Sequence, residues 1–182
     1  SYFARKRAAL GAVFGLTVPG IPMLLQGQEF LERQSFDSDR PLEWKLLKQN
    51  EETHLLFSDL IALRRNLSGT TKGLSGDNIH VFHANDDTKV LAYLRNGHGG
   101  RGDDVVVVVN LRSSPVKHYI FGLPSKGTWV VRFNSDSKIY GADYLGKTNS
   151  RITASTTPMD GLPFSGALDI GPYTAIILSQ VP

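Results

Sequence analysis

The chain has no cysteine among its 182 residues, which excludes disulfides, thiolate metal centres and cysteine nucleophiles. That absence fits a reducing compartment, and the cytoplasm is the expected location. Charge of one sign is not in excess either. The formal net charge is +3, and the basic residues are scattered apart from the triplet "RKR" at positions 5–7. Without a basic stripe, neither nucleic acid nor a membrane is expected as a partner. No two histidines have the His-x-x-x-His spacing of a helical zinc site, so no metal is expected. The glycine-rich "GHGGRGDD" at 97–104 lacks the Lys-Ser/Thr ending of a phosphate loop and precedes a strand instead of following one, so it reads as a flexible turn. No serine sits in a G-x-S-x-G elbow. No cofactor is implied.

An uninterrupted membrane span is also missing. Residues 8–25 carry no charge and follow "RKR", as in a signal peptide or a short membrane helix. Pro19, Gly20 and Pro22 break any continuous helix there. Two buried elements joined by a tight turn are expected instead. The chain begins at Ser1 with no initiator methionine, and a piece of a longer polypeptide is expected.

What is present divides in two. Residues 2–16 read as a helix, with Phe3, Arg7, Leu10 and Phe14 at helical spacing and alanines between them. Residues 21–25, "IPMLL", read as a short strand buried on both faces, as in a parallel sheet covered by helices. A second helix starts at Asn50 as N-cap, carries a stripe of Leu56, Leu60, Leu63 and Leu67, and has Arg64 and Arg65 in its last turn, matching the helix dipole. Helix, buried strand, loop and helix make an α/β rhythm.

Past Gly69 the texture changes to short β-rich runs at 79–84, 90–95, 105–110, 118–123, 128–134 and 174–180. "NDDT" at 85–88 reads as a hairpin turn between the first two. Such spacing predicts an antiparallel sandwich or barrel. Residues 138–167 read as a long loop with at most one weak strand. The expected division is 1–67 and 68–182.

Chemistry concentrates where the apolar run 21–25 stops on Gln26, Gly27, Gln28 and Glu29. In a parallel barrel, side chains at the C-terminal ends of the strands form the active-site rim. Amides and carboxylates suit sugar hydroxyls, which both donate and accept hydrogen bonds. Gln26, Gln28 and Glu29 are therefore the candidate substrate-binding residues. Trp44 joins them as a platform for a sugar ring, or it covers the barrel edge. The loop carboxylates Asp37, Asp39 and Glu43 form no pair that is read as catalytic.

The stretch "ARKRAALGAVFGLTVPGIPMLLQGQEF" resembles the end of the catalytic barrel of the alpha-amylase superfamily. "DRPLEWKLL" and the helix ending "LIALRRN" are most similar to the glucan branching members of that superfamily. "TTKGLSG", "VFHAND", "GDDVVVVVNL", "WVVRFNSDSKIYG", "DGLPFSG" and "IGPYTAIILSQ" resemble their all-β C-terminal domain. The resemblance implies an α+β chain: the C-terminal part of a (β/α)8 barrel followed by an antiparallel β-sandwich. It implies an α-glucan such as glycogen, starch or amylose as substrate, and an upstream catalytic barrel as partner. The family's nucleophilic aspartate, acid/base glutamate and stabilising aspartate lie on earlier strands, so no catalytic residue is expected in this chain. Three functions stay open: part of a branching enzyme, part of an amylase-type hydrolase, or a non-catalytic β module that binds glucan or stabilises its neighbour.

Overall fold

The computed structural model describes residues 1–35 and 37–182. Helix α1 spans Tyr2–Thr17, α2 Lys45–Gln49 and α3 Glu51–Arg64. Eight strands follow: β1 Asn78–Asn85, β2 Val90–Asn96, β3 Val105–Asn110, β4 Val116–Leu123, β5 Thr128–Asn134, β6 Arg151–Thr153, β7 Phe164–Ile170 and β8 Thr174–Ser179. Six form one antiparallel sheet in the order β1-β2-β3-β8-β5-β6, and β4 pairs with β7 in a second. The expected hairpin joins β1 to β2, its turn held by the Thr88 N–H donating to Asn85 Oδ1 at 2.9 Å.

The central strand explains the layering. Val105 to Val109 are all 0% exposed, and alternate side chains point to opposite faces. Val105, Val107 and Val109 pack with Ala9, Val13, Leu56 and Leu60 of α1 and α3. Val106 and Val108 pack with Phe121 and Leu168 of the second sheet. The molecule is thus three layers deep: helices, large sheet, small sheet. Each valine so buried is worth about 1.5–3 kcal/mol of transfer free energy.

The structure corrects several expectations. Residues 21–25 form no strand. Their side chains are not in a two-sided core, since Ile21 is 97% exposed and Met23 94%. A strand buried on both faces needs hydrogen-bonded neighbours and a layer on each side, and among the described residues nothing supplies them. The loop expected over 138–167 contains β6 and the start of β7. Ser165 and Gly166 interrupt the apolar pattern of β7, but Gly166 lies where a Cβ would come within 2.6 Å of the Ile152 side chain. A small residue is what lets the two sheets close there.

The second helix also ends sooner than its leucine stripe suggests. It stops at Arg64, and Leu67 lies beyond it, exposed. Asn50 does not cap it through its side chain; the Asn50 amide donates to Phe30 O at 3.0 Å and Leu46 O at 3.1 Å.

Candidate functional site

The C-terminus of α1 aims the candidate segment. Its free carbonyls carry the negative end of the helix dipole, and α1 has no basic residue in its own last turn. Two arginines from elsewhere supply the charge. Arg64 donates to Val18 O at 2.7 Å and Gly20 O at 2.6 Å. Arg95, fully buried, donates to Thr17 O, to Gly76 O and, at 2.8 Å, to Asn78 O. Burial pulls both guanidinium groups below the ordinary arginine value. The Thr17 hydroxyl bonds the Tyr93 hydroxyl at 2.6 Å, so the helix end is pinned to β2.

From there residues 21–25 run extended into a tight turn. The Gln28 N–H donates to Leu25 O at 3.0 Å, and a short 3-10 helix covers Gln28–Phe30. Gly27 has φ +84°, and a Cβ there would lie 2.6 Å from the Glu32 side chain, so glycine is required on both counts. Phe30 is the buried anchor of the turn. Beyond it Glu32 organises the loop, a role the sequence reading missed. Its carboxylate accepts from the backbone N–H of Glu43 at 2.8 Å, Arg33 at 2.8 Å and Gln34 at 3.2 Å. These bonds, the one from Glu43 foremost, hold the carboxyl below its usual range.

The four candidate residues do not converge on one point. Gln26 and Glu29 share a cleft of about 310 Å³ walled by Leu24, Phe57 and Ile61, with His54 and Ser58 of α3 across from them. Gln28 instead lines a smaller, adjoining cavity with Arg5, Thr53, Tyr140 and Tyr144, and its Oε1 accepts from the Leu25 N–H at 3.4 Å. Trp44 is 64% exposed and lines neither; its ring sits 5.6 Å from Phe30. The cleft joins a carboxylate, an amide, an imidazole and a hydroxyl to apolar walls, which is chemistry suited to a hydroxyl-rich ligand. His54 and Ser58 are a further omission of the sequence reading. Their only signal is spacing of one helical turn, which places them on one face of α3. Asp37 pairs with Arg40 at 2.9 Å and Glu43 with Lys45 at 3.2 Å, as loop carboxylates commonly do. No group of three potential ligands that could hold a metal occurs among the described residues.

The layers define an antiparallel β-sandwich domain covered on its outer face by helices. Residues 80–181 match the family described as Alpha amylase, C-terminal all-beta domain, and the chain belongs to that family. Over 180 residues it is 32% identical to a 1,4-alpha-glucan branching enzyme GlgB from Marinobacter nauticus, covering 96% of this chain and 28% of that protein. Over 182 residues it is 33% identical to a 1,4-alpha-glucan branching enzyme GlgB from Cupriavidus pinatubonensis, covering 98% of this chain and 24% of that one. The chain thus spans about a quarter of the length of the curated relatives it matches. A pullulanase from Anoxybacillus sp. LM18-11 shares the fold, with a TM-score of 0.64 at 21% identity over 98% of this chain and 23% of that one. No helix is long and apolar enough to cross a membrane among the described residues.

Proposed function

We propose that the chain is the carboxyl-terminal segment of a 1,4-alpha-glucan branching enzyme. In this reading residues 1–67 supply the last β/α portion of a TIM-type catalytic barrel, and residues 68–182 form the C-terminal β domain. The observation that carries it is the stretch 21–25, apolar and extended, with Ile21 and Met23 almost fully exposed and a polar turn directly after it. Parallel neighbours on either side would bury those side chains. They would leave Gln26, Gln28 and Glu29 at the C-terminal end of a barrel strand, where TIM-barrel enzymes bind their substrates.

The substrate is an α-glucan such as glycogen, starch or amylose. Gln26 and Glu29 hydrogen-bond its hydroxyls from their shared cleft, Gln28 does so from the adjoining cavity, and the exposed Trp44 indole stacks on a sugar ring. In the whole enzyme an α-1,4 link is cleaved with retention through a covalent glucosyl-enzyme, and the glucosyl chain passes to a 6-hydroxyl. The carboxylates for that step belong to earlier barrel strands, so this chain alone neither cleaves nor transfers. It works in the cytoplasm without metal or cofactor.

The test uses the intact enzyme. Gln26→Ala and Glu29→Ala should each remove about 1–3 kcal/mol of transition-state stabilisation, read as kcat/KM for branch transfer to amylose. Unchanged kcat/KM in both variants would sink the rim assignment. New reducing ends without new 1,6 branches would favour a hydrolase over a branching enzyme.

A further inference from the structure

Residues 31–44 lead from the 3-10 helix of the rim turn to α2 with no helix or strand of their own among the described residues. Loops of that length in a compact molecule are usually functional. The ends of this one are anchored by apolar packing, since Phe30 is 1% exposed on one side and Leu46 2% on the other. Between those anchors the chain has many paths open to it, because each residue can reach up to about 3.4 Å.

One side chain selects the path. Glu32 Oε1 accepts from the N–H groups of Arg33 and Gln34, and Glu32 Oε2 accepts from the N–H of Glu43 at 2.8 Å. The bond to Glu43 brings the two ends of the 33–42 stretch together, which makes it an Ω-type loop. Its polar contacts are otherwise turned inward. Arg40 pairs with Asp37 at 2.9 Å and donates to Gln34 Oε1 at 3.1 Å, and the Asp39 N–H donates to Asp37 Oδ1 at 3.0 Å. Apart from the local bond from the Trp44 N–H to Leu42 O, the described residues of 33–42 hydrogen-bond only with one another and with Glu32.

The rim turn is shaped to receive this loop. A Cβ on Gly27 would lie 2.6 Å from the Glu32 Cβ and 3.3 Å from Leu42 Cδ2, so the clamp and the end of the loop both rest against the turn. The loop also stands where a ligand on the rim would meet it. Gln34, Asp37 and Arg40 line a narrow recess with Gln26, and Gln26 lines the cleft it shares with Glu29 as well. Gln26 therefore stands between the cleft and the loop, and the Arg40 side chain beside it is 68% exposed.

We propose that Glu32 is a positioning residue of the rim: its carboxylate holds the 33–42 loop beside Gln26, and the loop so held is a second wall of the groove that takes the glucan. This inference rests on the rim reading given above. A carboxylate suits the task because it offers two acceptor oxygens and no donor, whereas an amide has a single acceptor oxygen. The loop meets the ligand, and Glu32 acts only through the loop.

The first test is made on this chain with Glu32→Ala, which removes all three acceptor contacts. The melting temperature should stay within about 5 °C of the parent, because the loop lies outside both apolar cores. The nuclear Overhauser contact between the Leu42 methyls and the Gly27 α-protons should disappear. A retained contact overturns the proposal, since the loop then holds its place without Glu32. A larger fall in melting temperature also overturns it, since Glu32 would then support the whole chain.

The second test is made on the longer barrel-containing polypeptide proposed above, with amylose as substrate. Glu32→Ala should raise KM at least threefold and leave kcat within twofold, because losing a wall removes binding from ground state and transition state alike. Gln26→Ala is measured beside it. If only Gln26→Ala lowers kcat/KM, the rim stands and the role of Glu32 is overturned. If only Glu32→Ala raises KM, the wall stands and Gln26 is misassigned. If neither variant changes kcat/KM, the rim reading fails and the wall fails with it.

Discussion

Two five-residue apolar runs, 21–25 and 105–109, meet opposite fates. The valines of the second are wholly buried, whereas Ile21 is 97% exposed, Met23 94% and Leu25 57%. Hydrophobicity does not separate them. Neighbours do. The run of valines pairs in register with β2 on one side and β8 on the other, and a layer covers each face. The first run has Pro22 as its second residue, which removes one backbone donor. It forms no ladder with any described strand. A run of apolar residues thus does not secure burial by itself; hydrogen-bonded neighbours and a covering layer do.

The largest test of that contrast is a charge placed in each run. Val107→Asp puts an unpaired carboxylate between the helices and the large sheet. The cost exceeds about 5 kcal/mol, comparable to the whole stability of a small domain. The expected outcome is loss of the cooperative melt. A variant that still melts cooperatively would mean that β3 is not the shared centre of the two cores.

A smaller effect lies at the seam between the two regions, where Thr17 closes α1 against Tyr93. Burial pushes the Tyr93 hydroxyl up to about 12 from the ordinary 10.0. A raised folded-state value means the contribution is complete below pH 10 and is lost as the pH climbs toward 12. At about 1.4 kcal/mol per unit, that loss approaches 3 kcal/mol. Tyr93→Phe should cost about 1 kcal/mol near neutral pH by removing one hydrogen bond, and should make the fall between pH 10 and 12 shallower. Denaturant midpoints across that range decide the matter. Parallel curves for parent and variant would mean that Tyr93 is not the group that titrates.

Much of the fold was legible because local signals agreed with tertiary ones. The six β-rich runs all became strands, and "NDDT" became the hairpin. Where sequence and structure parted, the missing information was non-local. β7 hides because Gly166 answers to Ile152 and Leu123, not to its own neighbours. "GHGGRGDD" reads as a flexible turn, yet the Asp103 carboxylate gathers the N–H groups of His98 at 2.6 Å, Gly99 at 2.7 Å and Gly97 at 3.1 Å. Burial raises that carboxyl, but the backbone donors outweigh it and hold it below its usual range. The candidate turn was legible as a polar stop after an apolar run. That Gln28 would line a different cavity from Gln26 and Glu29 depends on the left-handed turn at Gly27, φ +84°, which no spacing rule contains.

Leu24 probes the comparison at its midpoint, being the residue of the first run that packs against the helical core. Full burial would make Leu24→Ala cost 2–5 kcal/mol. Since Leu24 is only partly buried, about 1–2 kcal/mol is expected in this chain, read from denaturant titration. A loss within the range for full burial would mean that the run is already core without further partners.

The smallest effect is the most informative about what the first run is for. Met23 is almost wholly in solvent, so Met23→Ser removes no packing and should change the stability of this chain by less than about 0.5 kcal/mol. Within a complete barrel the same side chain would sit between parallel neighbours, and the same substitution would leave a cavity and bury a hydroxyl, costing about 2–5 kcal/mol. The measurement is therefore a pair of melts, one on this chain and one on the longer barrel-containing polypeptide proposed above. A small shift in the first and a large one in the second is the signature of a strand whose partners lie elsewhere in the polypeptide. Two small shifts would leave "IPMLL" as an exposed linker, and the rim assigned to Gln26, Gln28 and Glu29 would lose the strand that is meant to aim it.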